Sequence, residues 1–216
     1  MDQSAQFSLT AIALVWLASL LTPSIVGRIA RTKRQQELKR AIAIDLRELQ
    51  FTMALVGFRL FRRCRAVTPE RIALLREVVN SYTGPDDNPA DLKATREYLS
   101  LPEAQQMAVA SQAAETPMNS PRLVKYYLPF VEAHTLELAD LPVDYQWRIT
   151  QVIRDLRLFN DDVVYSTSQL DRTFDTSITG ENRKSLQQNI EHTYSSASHR
   201  AERIVREVRD ILSRYG

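Results

Sequence analysis

The pattern of apolar and polar positions predicts helix along most of the chain. Three stretches place apolar or small residues at alternating spacings of three and four, which aligns them along one helix face. In residues 38–65 these are Ile42, Leu46, Leu49, Met53, Val56 and Leu60. In the two later stretches they are Ile149, Val152, Leu156, Phe159, Val163, Ser166 and Leu170, then Ile190, Tyr194, Ala197, Ala201, Ile204, Val208 and Ile211. We therefore expect three long heptad-patterned helices, the last two being antiparallel neighbours because the connection between them is short.

Prolines and turn-forming residues divide the middle of the chain into short helices. Pro69, Pro89 and Pro121 each follow a residue that caps helix N-termini well, namely Thr68, Asn88 and Ser120. We expect short helices at residues 69–81, 89–99, 101–115 and 121–139. Proline inside a helix removes a hydrogen bond, so Pro129 should kink the last of them. That kinked helix is the expected fourth element of a bundle.

The N-terminal segment has no charged residue between Gln3 and Gly27. The stretch from Phe7 to Val26 is mostly apolar, and about 20 such residues suffice to cross a bilayer. A cleaved signal peptide needs a basic region before the apolar stretch, whereas this chain offers Asp2 there. We therefore expect an uncleaved transmembrane helix, with a buried helix of a soluble protein as the main alternative.

A basic run follows the uncharged segment and predicts the topology. Residues 28–40 contain six basic residues and one acidic residue, a net charge of +5. The basic residues, expected to contact anionic lipid headgroups, are Arg28, Arg31, Lys33, Arg34, Lys39 and Arg40. The positive-inside rule then places the N-terminus outside and the C-terminal domain in the cytoplasm. Small size and simple topology favour a bacterial inner membrane.

The predicted fold class is all-α, with a single N-terminal transmembrane helix followed by a cytoplasmic helical bundle. The bundle should contain the three long helices and several short ones. We divide the chain into an anchor at residues 1–30, a basic juxtamembrane region with a long helix at 31–65, and the remaining helical domain at 66–216.

Composition excludes several classes of site. The chain has 216 residues, a net charge of +2, five glycines and one cysteine. The glycines stand too far apart to form the glycine-rich loops of Rossmann or P-loop nucleotide sites. A lone Cys64 excludes an intrachain disulfide and a CxxC motif. Since the excess of positive charge is confined to residues 28–40, nucleic acid is an unlikely partner.

Side chains with metal-binding or catalytic chemistry form no recognisable motif. His192 and His199 are seven residues apart, about 10 Å along a helix, too far for one metal ion. Ser195 and Ser196 lie inside a heptad helix rather than on a nucleophile turn. The carboxylate pairs are Asp161 with Asp162 and Asp171 with Asp175, which polar helix faces commonly contain. We expect no catalytic residue, no cofactor and no metal.

An arginine cluster is the most distinctive local feature. Arg59, Arg62 and Arg63 have the spacing i, i+3, i+4 of one helix face, and Arg65 follows closely. Cations at a helix C-terminus stabilise it by complementing the helix dipole. The alternative is capture of an anionic partner or ligand by Arg59, Arg62, Arg63 and Arg65.

These features favour a membrane-anchored helical protein that acts by binding, as an adaptor, an assembly subunit or a sensor. Its expected partners are the lipid bilayer and either another protein or further copies of itself. One alternative is a membrane-active effector whose helical domain senses a signal and clusters the anchors. A second alternative is an enzyme acting on a phosphate-bearing or lipid substrate near the arginine cluster.

Overall fold

The structure is a computed structural model that describes residues 3–84, 89–115, 123–173 and 179–215, excluding the side chains of residues 3–25, 89–91 and 113–115. Within these ranges every regular element is a helix, so the all-α prediction is confirmed. The helices are α1 (Gln3–Arg63), α2 (Pro69–Ser81), α3 (Pro89–Ser100), α4 (Glu103–Glu115), α5 (Pro129–Ala133), α6 (Val143–Thr173) and α7 (Gly180–Tyr215), with a 3₁₀ turn at Glu137–Asp140.

The predicted transmembrane anchor is corrected by the structure. Among the residues that the structure describes, no helix is both long enough and apolar enough to cross a membrane. This finding contradicts the single-pass topology, the outside N-terminus and the inner-membrane location. The prediction inferred a lipid-spanning helix from the lack of charge, but five hydroxyl residues and Pro23 interrupt that stretch. The side chains of residues 3–25, which make up most of it, lie outside the described part.

The chain separates into two units, Met1–Ala41 and Ile42–Gly216, and the division falls inside α1. In the first unit Arg28, Arg31, Lys33, Arg34 and Arg40 are exposed, whereas Lys39 is half-buried. The predicted contact of these residues with lipid headgroups depended on the anchor, so we do not propose it further. The predicted boundaries at residues 30 and 65 stay predictions.

The second unit has its core along the three predicted heptad faces. On α7 all seven heptad positions are buried, from Ile190 to Ile211. On α1 and α6 only Val56 and Leu170 are half-buried, and the other heptad positions are buried. Burial of these side chains, at about 1.5–3 kcal/mol each for the larger ones, is the main source of stability of the unit.

Helix α7 packs against α6, α1 and α2. Arg148 of α6 contacts Glu207 at 3.0 Å and Asp162 contacts Arg200 at 2.8 Å, so α6 and α7 run antiparallel as predicted. On another side the Gln50 amide of α1 donates to the Val205 carbonyl at 3.2 Å. Helix α2 reaches α7 through Arg71, whose Nε lies 3.1 Å from Glu202 Oε2. Helix α2 therefore takes a place in the bundle that the sequence had assigned to residues 121–139.

The prediction of one kinked helix over residues 121–139 is wrong: the described residues, 123–139, form a non-helical segment followed by the short helix α5 and the start of the 3₁₀ turn. Residues 123–128 are not helical, and Pro129 begins the short helix α5 instead of kinking a longer one. Asn160 of α6 holds the non-helical segment: its Oδ1 accepts from Tyr126 N at 3.0 Å and its Nδ2 donates to Tyr126 O at 2.8 Å. This paired hydrogen bond replaces the backbone bonds that a helix would supply.

The corner between α3 and α4 is fastened by one buried side chain. Gln106 is fully buried, and its Nε2 donates to the carbonyls of Leu99 and Leu101, each at 2.9 Å. Its Oε1 accepts from Arg76 of α2 at 3.3 Å. Gln106 thus supplies donors to carbonyls at the end of α3 that lack partners within the helix.

Candidate functional site

The four arginines of the predicted anionic site lie beside different neighbours. Arg59 is exposed near Tyr126, where burial raises the pKa of the tyrosine and the arginine charge opposes that rise. The guanidinium of Arg62 lies 6.0 Å from the ring centre of Phe58. Arg63 is half-buried and acts electrostatically on Cys64. Capture of an anion by this cluster stays a prediction.

Arg65 has a structural role at the end of α1. Its φ is 55°, in the left-handed region that glycine favours. Its backbone N–H donates to Arg62 O at 3.3 Å, and the N–H of Ala66 donates to Phe61 O at 2.9 Å. These two bonds form a Schellman motif, which ends the helix and satisfies two of its last carbonyls.

Cys64 is less reactive than its basic neighbours suggest. Burial raises the pKa of the thiol, Glu191 raises it further, and the lowering by Arg63 does not compensate. Since the thiolate is the nucleophilic form, this environment favours the inert thiol.

The histidines and serines of α7 form local contacts. His199 Nδ1 lies 2.7 Å from the Ser195 carbonyl, to which it can only donate, and His199 Nε2 lies 3.5 Å from Arg71 Nη2. Ser196 Oγ accepts from Arg200 at 3.3 Å. His192 is exposed. These contacts couple α7 to α2 and fix surface side chains.

The predicted carboxylate residues of α6 have different surroundings: Asp162 forms an ion pair, and Asp171 lines an open groove. Asp162 pairs with Arg200 of α7. Burial raises the pKa of Asp162, and the charge and hydrogen bond of Arg200 offset only part of that rise. Asp171 lines a shallow groove with Arg172 and Lys125, and Asp175 lies outside the described residues.

The outward side of α6 exposes large apolar side chains. Trp147 is 62% exposed, Tyr165 47% and Leu158 37%. They belong to a second heptad series, which we call the α6 outer face: Trp147, Gln151, Arg154, Leu158, Asp161, Tyr165 and Ser168. Sequence reasoning missed this series because it took the core-facing series on the same helix as the whole pattern. Aromatic residues exposed along a regular helical line are typical of interaction surfaces.

A second feature missed by sequence reasoning is a cleft of about 380 Å³ between α1, α2 and α7. Its lining includes Arg47 and Gln50 of α1, Glu77 and Val78 of α2, and Arg209 and Leu212 of α7. These residues come from three distant parts of the chain. We call this the α1–α2–α7 cleft.

Comparisons with known proteins identify no relative. No family model, no curated protein and no solved structure matches the chain. Any assignment of function therefore rests on the sites described above.

Proposed function

We propose that this protein is a helical binding module that pairs with a second copy of itself through the α6 outer face, as an adaptor or assembly subunit. The observation that supports this proposal best is the exposure of Trp147, Leu158 and Tyr165 in one heptad series. Heptad faces of this kind pair with other helices by interlocking side chains. Trp and Tyr are enriched among the residues that contribute most binding energy at protein interfaces.

The charges on this face favour a second copy as the occupant. Arg154 and Asp161 lie on either side of Leu158, and the side chain of Arg154 is 60% exposed. In an antiparallel pair centred near residue 156, Arg154 of each copy lies opposite Leu158 of the other and three residues, about 4.5 Å along the helix axis, from its Asp161. The long arginine side chain can span that offset. A twofold interface must complement itself, and this arrangement of opposite charges does so.

The same register brings the aromatic residues together. Trp147 of one copy lies opposite Tyr165 of the other, once at each end of the interface. Helix α6 has 31 residues, so it is about 46 Å long and can bury a continuous strip. In this register the two aromatic pairs close the ends of the interface, and the two offset ion pairs flank the Leu158 side chains near its centre.

Sedimentation equilibrium of the full chain tests the proposal. We expect the wild type to be a dimer and the Trp147→Ala/Tyr165→Ala double variant to dissociate at least about tenfold more readily. Leu136→Ala is the matched control, because Leu136 is 92% exposed outside this face. A wild-type chain that stays monomeric up to about 1 mM, or a dimer that these substitutions leave unchanged, would refute the proposal.

A further inference from the structure

We propose that the α1–α2–α7 cleft binds a small organic anion. The inferred ligand has a phosphate or carboxylate group, held between Arg47 and Arg209, and an apolar part against Val78 and Leu212. This site is separate from the α6 outer face, so the two proposals can fail independently.

The size and lining of the cleft suit a small molecule. Its volume of about 380 Å³ falls within the range of 300–1,000 Å³ that is usual for small-molecule sites. Apolar surface from Val78 and Leu212 stands beside a few polar groups, which is the usual composition of such sites.

The charge of the cleft favours an anion. Two arginines face one carboxylate, Glu77, so the lining has an excess of one positive charge. Arg47 is exposed and forms no hydrogen bond or ion pair with any residue in the described ranges. Guanidinium groups bind phosphate and carboxylate through paired, charge-assisted hydrogen bonds.

Arg209 can turn to a ligand at little cost. Its Nη1 lies 3.3 Å from Glu77 Oε2 and its Nε lies 3.8 Å from Asp210 Oδ1, and all three side chains are at least 39% exposed. Exposed ion pairs of this kind contribute little to stability. An anion in the cleft would therefore compete with Glu77 for Arg209.

The walls of the cleft are held in place before any ligand arrives. Gln50, at the α1 wall, is buried and bonded to Val205 of α7. Next to it Phe51 stacks on Tyr82, with ring centres 3.9 Å apart, which fixes the end of α2 against α1. A preformed site avoids the entropic cost of ordering its walls on binding.

Titrations followed by NMR test the site with three probes: phenyl phosphate, benzoate and inorganic phosphate. We expect phenyl phosphate to bind more tightly than inorganic phosphate, because its ring contacts Val78 and Leu212. Comparison of phenyl phosphate with benzoate shows which anionic group the cleft prefers. Backbone signals of Arg47, Ser81 and Leu212 should shift in the presence of the probe that binds.

Substitutions of the arginines and of the glutamate in the cleft should change the binding affinity in opposite directions. Arg47→Gln and Arg209→Gln should each weaken binding by about tenfold, the worth of one lost charge-assisted bond. Glu77→Gln should tighten binding several-fold, because it removes one of the two carboxylates that compete with the ligand for Arg209. Arg96→Gln, an exposed arginine on α3, is the matched control and should change nothing.

The inference is overturned if none of the three probes shifts the cleft signals. It is equally overturned if Arg47→Gln and Arg209→Gln bind as the wild type does, or if Glu77→Gln weakens binding. Sedimentation of the same variants should show an unchanged oligomeric state, which separates this test from that of the α6 outer face.

Discussion

The Asp45 carboxylate accepts a hydrogen bond from the backbone N–H of Phe130 at 2.8 Å, across 85 residues of sequence. The same oxygen lies 3.3 Å from Val131 N. These are the first free amides of α5. The N-cap residue of this helix, Leu128, has an apolar side chain that cannot accept a hydrogen bond from them. Asp45 therefore caps α5 from another helix and fastens the connection before α6 to α1.

Removal of this cap should destabilise the protein. We expect Asp45→Ala to lower the free energy of unfolding by about 1 kcal/mol, the usual cost of a lost N-cap. Asp45→Asn should lose less, because its amide oxygen still accepts a bond. Chemical denaturation measures both, and Glu48→Ala on the exposed side of α1 is the control. Equal stability of Asp45→Ala and the control would show that the cap contributes nothing.

Helices α1 and α7 approach each other closely at Gly57. A Cβ at this position would lie 3.1 Å from the Cβ of Ala201, tighter than ordinary contact. We expect Gly57→Ala to cost about 1 kcal/mol, because overpacking outweighs the better helix propensity of alanine. In an Ala201→Gly background the same substitution should be neutral or stabilising. A double-mutant cycle measures this coupling, and additive effects would contradict the close contact.

Substitution of the left-handed residue at the end of α1 should stabilise the protein, in contrast to the two substitutions above. Arg65 has a φ of 55°, which is costly for a residue with a side chain. We expect Arg65→Gly to raise the free energy of unfolding by about 0.5–1 kcal/mol. Arg59→Gly, in the interior of the same helix, should lower it by about 1 kcal/mol. Thermal or chemical unfolding of the two variants compares these signs directly, and a destabilised Arg65→Gly would contradict the Schellman geometry.

Two ion-paired carboxylates should respond to pH in opposite directions. Burial raises the pKa of Glu202, but bonds and charges from Arg206 and Arg71 outweigh it, and the pKa is lowered. Glu202 therefore stabilises the fold above its unfolded pKa of 4.5, and this contribution is lost as pH falls through its folded pKa. For Asp162 burial prevails and raises the pKa from 3.8, so its contribution is present at low pH and lost as pH rises.

Unfolding of Glu202→Gln and Asp162→Asn at about pH 3 and about pH 6 measures the difference. The loss of stability in Glu202→Gln should grow between the two values. Relative to wild type, Asp162→Asn should become more stable over the same interval. The same slope for both variants would contradict the assigned environments.

The sequence predicted the parts of the fold that depend on periodicity. The core-facing heptads of α1, α6 and α7 and the Thr68 cap of α2 follow from local spacing. Periodicity does not distinguish a lipid-facing helix from other uncharged helices, and the predicted anchor depended on that distinction. The proline and N-cap signal at Ser120 and Pro121 predicted a helix over 123–128, where tertiary bonds from Asn160 hold a non-helical segment instead.

Neither candidate site was predicted from the sequence, for different physical reasons. The α6 outer face is visible in the sequence as a second heptad series. Whether such a series faces the core or solvent depends on packing, which sequence spacing does not reveal. The α1–α2–α7 cleft combines Arg47 with Glu77 and Arg209, and only the packing of three helices brings these residues together. Asp45 and Phe130 illustrate the same limit for a single hydrogen bond.

Charge reversal on the α6 outer face tests the proposed dimer most directly. Arg154→Asp alone should bring like charges close to Asp161 of the second copy, and Asp161→Arg alone should do so close to Arg154. Each variant should therefore be monomeric by sedimentation equilibrium. An equimolar mixture should form a heterodimer, because opposite charges then meet at both positions. Variants that remain monomeric when mixed, or that each dimerise alone as the wild type does, would contradict pairing through this face.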